Sequence, residues 1–87
     1  MHYTIEVRPG ARRDLKALPR EMLPRISRKI DSLANNPRPR GVEELSGSED
    51  SYRVRVGDYR ILYEIRDDVI LVIIVRVRHR REVYRNY

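Results

Sequence analysis

Apolar and polar residues alternate along residues 51–65, and this alternation is the clearest structural signal in the chain. It is interrupted once, at Gly57-Asp58, and resumes on the far side. The pattern predicts two strands joined by a two-residue turn, since period-two alternation on either side of a glycine turn is typical of a β-hairpin. A turn of this length fixes the register, so Val56 should face Tyr59 and Arg55 should face Arg60.

The predicted hairpin has one apolar face and one face rich in arginine. Arg53, Arg55 and Arg60 share the second face. Like charges placed opposite each other across two strands destabilise the pair. This arrangement therefore favours a surface that binds a polyanion, and the alternative is an ordinary solvated strand face. The apolar face carries Tyr52, Val54, Val56, Tyr59, Ile61, Tyr63 and Ile65.

The rest of the pattern predicts an α+β fold in a single domain over residues 1–87. Residues 3–7 indicate a first strand, residues 11–18 and 23–33 two amphipathic helices, and residues 69–77 a last strand. Residues 38–50 indicate a long irregular connection. We expect two N-terminal helices packed on one face of a small, mainly antiparallel four-stranded sheet in the order β-α-α-β-β-β. The arginine face is then open to solvent, and the tail adds a short helical turn.

Composition narrows the function classes. The 87 residues carry a formal net charge of +6, with 17 arginines and only 2 lysines. Arginine suits bidentate contacts with phosphate, although a general codon bias towards arginine gives the same count. The absence of cysteine excludes disulfides and cysteine-ligated metals, and it fits a cytoplasmic location. We predict no signal peptide and no membrane association, because the longest apolar run, residues 69–75, is too short to span a bilayer.

The C-terminal segment places more candidate chemistry near the end of the arginine face. His79, Arg80 and Arg81 follow the last strand, and Tyr84 comes three residues later. Considered alone, His79 is interpreted as a surface histidine and Tyr84 as a packing residue. Their combination with the hairpin arginines indicates a site for an anionic ligand.

Three segments resemble the RelE toxins of bacterial and archaeal toxin–antitoxin systems. They are residues 52–63 with the Tyr-Arg-Ile-Leu-Tyr strand, residues 75–85 with the His-Arg…Tyr-Arg ending, and residues 11–19. The resemblance implies a ribosome-dependent endoribonuclease that cuts mRNA in the 30S A site by attack of the RNA 2′-OH, with no metal or other cofactor. ParE relatives on the same scaffold poison DNA gyrase, which leaves a non-enzymatic gyrase poison as the alternative. A weakly active or inactive basic RNA-binding member is the third possibility.

The resemblance also assigns roles by position. Arg53 and Arg55 match two basic residues that are lysines in other members, and Arg60 and Arg80 match phosphate-binding arginines. Tyr84 matches a tyrosine that stacks on or orients a base. Further contacts with RNA are expected from Arg76, Arg78, Arg81 and Arg85.

The arginines at positions 53 and 55 change the expected chemistry. Arginine stays protonated at all physiological pH values, so neither residue can act as a general base. His79 is the nearby side chain that titrates close to neutrality, and we nominate it as the acid or base. Glu82 is a weaker candidate, since it also suits a salt bridge with a neighbouring arginine.

A toxin of this kind requires a partner that neutralises it. We expect a cognate acidic antitoxin of the RelB type, forming a hetero-oligomer with this chain. Such a protein can cover the arginine face, wrap the helices or add a strand to an exposed sheet edge.

Overall fold

The computed structural model describes residues 2–45, 47 and 50–81. The helices are α1 (Pro9–Lys16) and α2 (Met22–Ser32), and the strands are β1 (Thr4–Val7), β2 (Glu43–Glu44), β3 (Ser51–Val56), β4 (Tyr59–Arg66) and β5 (Leu71–His79). The strands form one sheet in the order β1-β5-β4-β3-β2. This α+β arrangement confirms the predicted fold class.

The predicted hairpin is present with the predicted register. Val56 pairs with Tyr59 and Arg55 with Arg60. Gly57 has a φ of 58°, in the left-handed region that a two-residue hairpin turn requires and that glycine enters without steric cost.

The sheet has five strands rather than the predicted four. Glu43 and Glu44 pair with Arg53 and Tyr52 as the short edge strand β2, inside the segment expected to be irregular. Two glutamates carry no apolar alternation, so the pattern gave no sign of a strand there. β1 pairs with β5 in parallel, whereas the other three pairings are antiparallel. The sheet is therefore mixed but mainly antiparallel.

Both helices contribute to one core against the apolar face of the hairpin. α1 begins at Pro9, two residues before the predicted start, because proline suits the first helical turn, where no backbone N–H is needed. Pro24 occupies the first turn of α2 for the same reason. The buried core comprises Ala11, Ile26, Ile30, Leu33, Tyr52, Val54, Ile61, Tyr63, Ile65, Val72, Ile74 and Val77.

The connection from β4 to β5 is longer than predicted, and β5 is irregular. A 3₁₀ turn spans Asp67–Val69 and Ile70 has a φ of 53°, so β5 begins at Leu71 and continues to His79. The β4–β5 register shifts between Leu62 and Tyr63, which is a β-bulge in β5.

The helical turn expected in the tail falls mainly on residues 82–87, which lie outside the described residues. The described residues Arg80 and Arg81 have helical geometry. No helix in the described ranges is both long enough and apolar enough to cross a bilayer.

Candidate nucleic-acid interface

Three arginines lie side by side across the three central strands. Arg55 of β3 pairs with Arg60 of β4, and Arg60 pairs with Arg78 of β5. Paired residues point to the same face of a sheet, and neighbouring strands are only about 5 Å apart. These residues form the arginine row, on the face opposite Val54, Ile61 and the helices.

Arg60 is the central member of the row and is buried. It is 8% exposed, and its Nη1 donates a hydrogen bond to the Tyr59 carbonyl oxygen at 3.2 Å. Within the described residues, no carboxylate forms a salt bridge with Arg60. The expectation that the arginine face is wholly open to solvent is therefore wrong at its centre. A buried cation between two further cations is costly unless an anion completes the site.

Arg55 is the exposed member of the row. Its Nε donates to the Gly57 carbonyl oxygen at 3.2 Å, which directs the side chain towards the hairpin turn. None of the ion pairs among residues that the structure describes involves Arg55. Its charge is available to a ligand from solvent.

The bulge in β5 decides which residue completes the row. Leu62 pairs with Arg76 but Tyr63 pairs with Ile74, so Val75 is the extra residue. Without this shift Val77 would face Arg60, and the side chains of β5 beyond the bulge would exchange faces. The bulge thus places Arg78 in the row and Val77 in the core.

Asp14 of α1 holds the bulged part of β5. Its carboxylate accepts hydrogen bonds from Arg76 Nε at 2.8 Å, from Arg76 Nη2 at 3.1 Å and from the Val77 amide at 2.9 Å. Burial alone would raise the pKa of Asp14, but these hydrogen bonds and the charges of Arg76 and Arg78 hold it below its usual value. Arg76 forms a salt bridge with Asp14, and its predicted contact with RNA stays a prediction.

Sequence reasoning missed Asp14. The available signal was its position as the one acidic residue of α1, beside the apolar positions Ala11 and Leu15 in an otherwise basic helix.

Arg53 lies on the same face as the row but is partly neutralised. Its Nη2 donates to Glu43 Oε2 of β2 at 3.1 Å. Its Nε is buried without a hydrogen-bond partner among the described residues. The edge strand β2 therefore compensates Arg53, whereas the part of the chain that the structure describes supplies no carboxylate to Arg55 or Arg60.

His79 lies on the other face of the sheet. It pairs with Tyr59, whose ring it meets edge-on at a centroid distance of 5.2 Å, and Tyr59 packs against the core. Its Nδ1 accepts a hydrogen bond from the Arg81 amide at 3.3 Å. His79 is next to Arg78 at the hairpin end, as expected, but its side chain is on the face opposite the arginine row. Its acid–base role stays a prediction.

The remaining predicted residues are at the hairpin end of the sheet or beyond the described chain. The Arg80 amide donates to the Asp58 carbonyl oxygen at 2.7 Å, and Arg80 Nε lies 3.9 Å from Asp58 Oδ1, so Arg80 braces the turn. Arg81 is exposed. Glu82, Tyr84 and Arg85 lie outside the described residues, and their roles stay predictions.

The row can therefore bind and stabilise negative charge, but it contains no group that exchanges a proton near neutral pH. Over residues 2–45, 47 and 50–81, no three histidine or acidic side chains are grouped so as to hold a metal ion. The fitting ligand is a phosphate group or a similar anion.

Comparison with known proteins places this arrangement in a family. Residues 5–84 match the family described as the ParE toxin of the type II toxin–antitoxin system parDE. Toxin RelG of Mycobacterium tuberculosis is 37% identical over 89 residues, covering 98% of this chain and 99% of that protein. The chain belongs to the RelE/ParE superfamily and is a toxin of the type II class, with RelE-named relatives close to it.

Solved structures agree with this assignment. A chain of the RelBE2 toxin–antitoxin complex from M. tuberculosis superimposes with a TM-score of 0.81 at 33% identity, covering 91% of this chain and 99% of that one. A chain of the archaeal RelE–RelB complex from Pyrococcus horikoshii gives a TM-score of 0.81 at 29% identity, covering 92% and 97%.

Proposed function

We propose that this type II toxin is a ribosome-dependent endoribonuclease that cleaves mRNA in the A site. The observation that carries the proposal is the arginine row, with Arg60 buried at its centre and without a carboxylate among the described residues. A site that gathers three cations around one point suits the phosphate that gains charge during RNA cleavage.

The reaction is an internal transfer within the RNA. The 2′-oxygen attacks the adjacent phosphorus and loses its proton, the bond from phosphorus to the 5′-oxygen breaks, and that oxygen gains a proton. The products are a 2′,3′-cyclic phosphate and a 5′-hydroxyl. Arg55, Arg60 and Arg78 would stabilise the pentacovalent phosphorane between these two states, because guanidinium groups donate in pairs to phosphate oxygens.

The expected rate of RNA cleavage depends on which groups transfer the two protons. Arginine cannot act as the base, and His79 lies on the far face of the sheet. Catalysis by the described residues then rests on charge stabilisation and on orientation of the RNA by the ribosome. We expect a slower enzyme than one with a placed acid and base, which contribute roughly 10²–10⁴-fold.

The relatives also support a partner. The matching structures from M. tuberculosis and P. horikoshii are complexes of toxin with antitoxin. We propose that this chain forms a hetero-oligomer with a cognate RelB-like antitoxin, and that acidic residues of the antitoxin neutralise the row.

The test is cleavage of a defined message in a reconstituted translation system, mapped by primer extension. Wild-type toxin should cut the message only when ribosomes translate it. Arg60→Gln should slow single-turnover cleavage by about 10²–10³-fold, because it removes a placed charge. Arg66→Gln is the matched control: it neutralises an arginine on the same face of the same strand, at the far end, where Arg66 pairs with Glu64 at 2.9 Å. Equal activity of the two variants would exclude the row as the catalytic site.

A gyrase poison is the second candidate, and the ParE description of the matching family favours it. It predicts an intact message, together with DNA–gyrase complexes trapped in the cleaved state when toxin is added to a supercoiling reaction. Trapped gyrase complexes with no ribosome-dependent cuts would replace the ribonuclease proposal.

A further inference from the structure

A second positive surface lies on the helix side of the sheet, at the same hairpin end as the arginine row. It is a groove of about 460 Å³ between α2 and the hairpin turn. We call it the basic groove; its lining residues are Arg25, Arg28, Lys29, Ser32, Arg55, Val56 and Gly57.

Three of the four cations that line the groove come from one face of α2, and the fourth, Arg55, comes from β3. Arg25, Arg28 and Lys29 are spaced three and four residues apart, so they lie together on the helix surface and repel one another. Arg25 of α2 lies close to the hairpin turn: a Cβ atom at Gly57 would be 3.4 Å from Arg25 Nη2. The Arg25 guanidinium therefore lies against the turn.

No described carboxylate compensates the positive charge in the groove. None of the salt bridges in the described part of the chain includes Arg25, Arg28, Lys29 or Arg55, and the groove lining contains no acidic residue. The one side-chain hydrogen bond from Arg25 within the described residues is a weak one to Met22 Sδ at 3.6 Å. Four cations without carboxylate partners attract an anion of several charges.

The groove is continuous with the arginine row through Arg55. This residue pairs with Arg60 on one side of the hairpin and lines the groove on the other, with its Nε turned to the Gly57 carbonyl oxygen. A chain of phosphates can therefore pass between the groove and the row along Arg55, beside the one turn carboxylate, Asp58, which lies 3.9 Å from Arg80 Nε.

The lining also distinguishes between anions. A docked acidic peptide gains most of its affinity from apolar anchors in pockets, and Val56 is the one large apolar side chain in the lining. A sugar–phosphate backbone needs only cations and hydroxyl groups, which the arginines, Lys29 and Ser32 provide.

We propose that the basic groove is a second RNA site, which binds the phosphate backbone at a distance from the scissile phosphate. The inference rests on the proposed ribonuclease function for its ligand class. The RNA can be the message itself or ribosomal RNA, and both present the same phosphates.

The experiment measures binding separately from cleavage. Fluorescent 2′-O-methyl RNA, which lacks the attacking hydroxyl, serves as the message probe, and vacant ribosomes serve as the ribosomal probe. The groove variant is Arg25→Gln/Arg28→Gln/Lys29→Gln. The matched control is Arg13→Gln/Lys16→Gln/Arg20→Gln, which removes the same three charges from exposed positions outside both the groove and the row.

The groove variant should bind one or both probes about tenfold more weakly, with a log–log salt slope shallower by about 2 for three lost phosphate contacts. The control should bind like wild type. Loss confined to the oligonucleotide assigns the groove to message, and loss confined to ribosomes assigns it to ribosomal RNA. Should thermal melting show the triple variant unfolded, Arg28→Gln alone is compared with Arg13→Gln.

Wild-type affinity of the groove variant for both probes would overturn the inference. The inference would also be overturned if an acidic peptide bound in the groove while neither RNA probe lost affinity for the groove variant. The two proposals fail separately. A wild-type protein that never cleaves but binds RNA through the groove refutes only the ribonuclease, whereas normal cleavage with groove-independent binding refutes only the groove.

Discussion

At the scale of single residues, Arg60 shows a conflict between stability and function. It is nearly buried, it lies between Arg55 and Arg78, and the described residues give it no carboxylate partner. Each of these facts raises the free energy of the folded toxin without a ligand. A side chain that weakens the fold is retained where a ligand needs it.

We therefore predict that Arg60→Met stabilises the free toxin while abolishing its activity. Methionine fills similar space without charge, so the free energy of unfolding should rise by about 1 kcal/mol or more. Urea titration measures it. Arg66→Met, on the same strand but exposed, should change stability by less than about 0.5 kcal/mol. A destabilised Arg60→Met variant would mean that the guanidinium has a structural role in the folded toxin.

The sequence could place Arg60 but not all of its neighbours. A two-residue turn has one register, so the pairing of Arg55 with Arg60 followed directly from Gly57-Asp58. The faces of Arg78 and His79 depend on the bulge at Val75, and nothing in a run of valines and isoleucines marks an extra residue. The sequence therefore could not show that His79 shares a face with Tyr59 and not with Arg60.

At the scale of elements, α1 supplies a hydrogen-bond acceptor to the outer edge of β5. β1 ends beside Ile74, whose carbonyl oxygen accepts a hydrogen bond from the Arg8 amide. Beyond this point no strand among the described residues pairs with the outer edge of β5. The Asp14 carboxylate accepts a hydrogen bond from the Val77 amide there and another from Arg76 Nε. The helix thus stabilises the bulged strand that carries Arg78.

We predict that Asp14→Asn lowers the free energy of unfolding by about 1–3 kcal/mol at pH 7, since charge-assisted hydrogen bonds are lost. The pKa of Asp14 is lowered in the folded state, so its stabilising effect is present above the ordinary pKa of 3.8 and disappears as pH falls through the lower folded value. Urea titrations at several pH values should show the difference between wild type and variant shrinking below about pH 4.

Asp31→Asn is the control, because Asp31 is an exposed carboxylate on α2. It should leave stability nearly unchanged at every pH. If the difference in the free energy of unfolding between wild type and Asp14→Asn stayed the same at low pH, the ionised carboxylate would not be the source of the stabilisation.

The sequence predicted elements well where local pattern decides them. The hairpin and both helices follow from alternation and from helical spacing. The parallel pairing of β1 with β5 joins residues about 67 apart in the chain, from Thr4 to Leu71 and onward, and no local pattern encodes it. The edge strand β2 pairs Glu43 with Arg53, ten residues further along the chain, and this contact is not encoded by a local pattern either.

At the scale of the whole molecule, the two ends of the sheet differ in charge compensation. At the end far from the hairpin turn, Arg38 pairs with Asp67 at 2.8 Å and Arg66 with Glu64 at 2.9 Å. Asp67 also accepts from the Tyr3 hydroxyl, and Arg38 holds the pKa of Asp67 below its usual value. At the hairpin end, Arg55 and Arg60 of the row and Arg25, Arg28 and Lys29 of the basic groove form no salt bridge with a carboxylate among the described residues. An acidic partner should therefore approach the hairpin end.

This asymmetry predicts that the cognate antitoxin and RNA exclude each other. Antitoxin added to toxin bound to fluorescent 2′-O-methyl RNA should release the RNA in a one-to-one titration, because both require the uncompensated cations. Stopped-flow association of toxin with antitoxin should slow severalfold between low and physiological salt. Arg55→Gln/Arg60→Gln should reduce both the association rate and its salt dependence, whereas Arg13→Gln/Arg20→Gln removes the same charge elsewhere and should change neither. A toxin–antitoxin complex that binds the RNA as tightly as free toxin would mean that neutralisation acts away from the hairpin end, through the helices or a sheet edge.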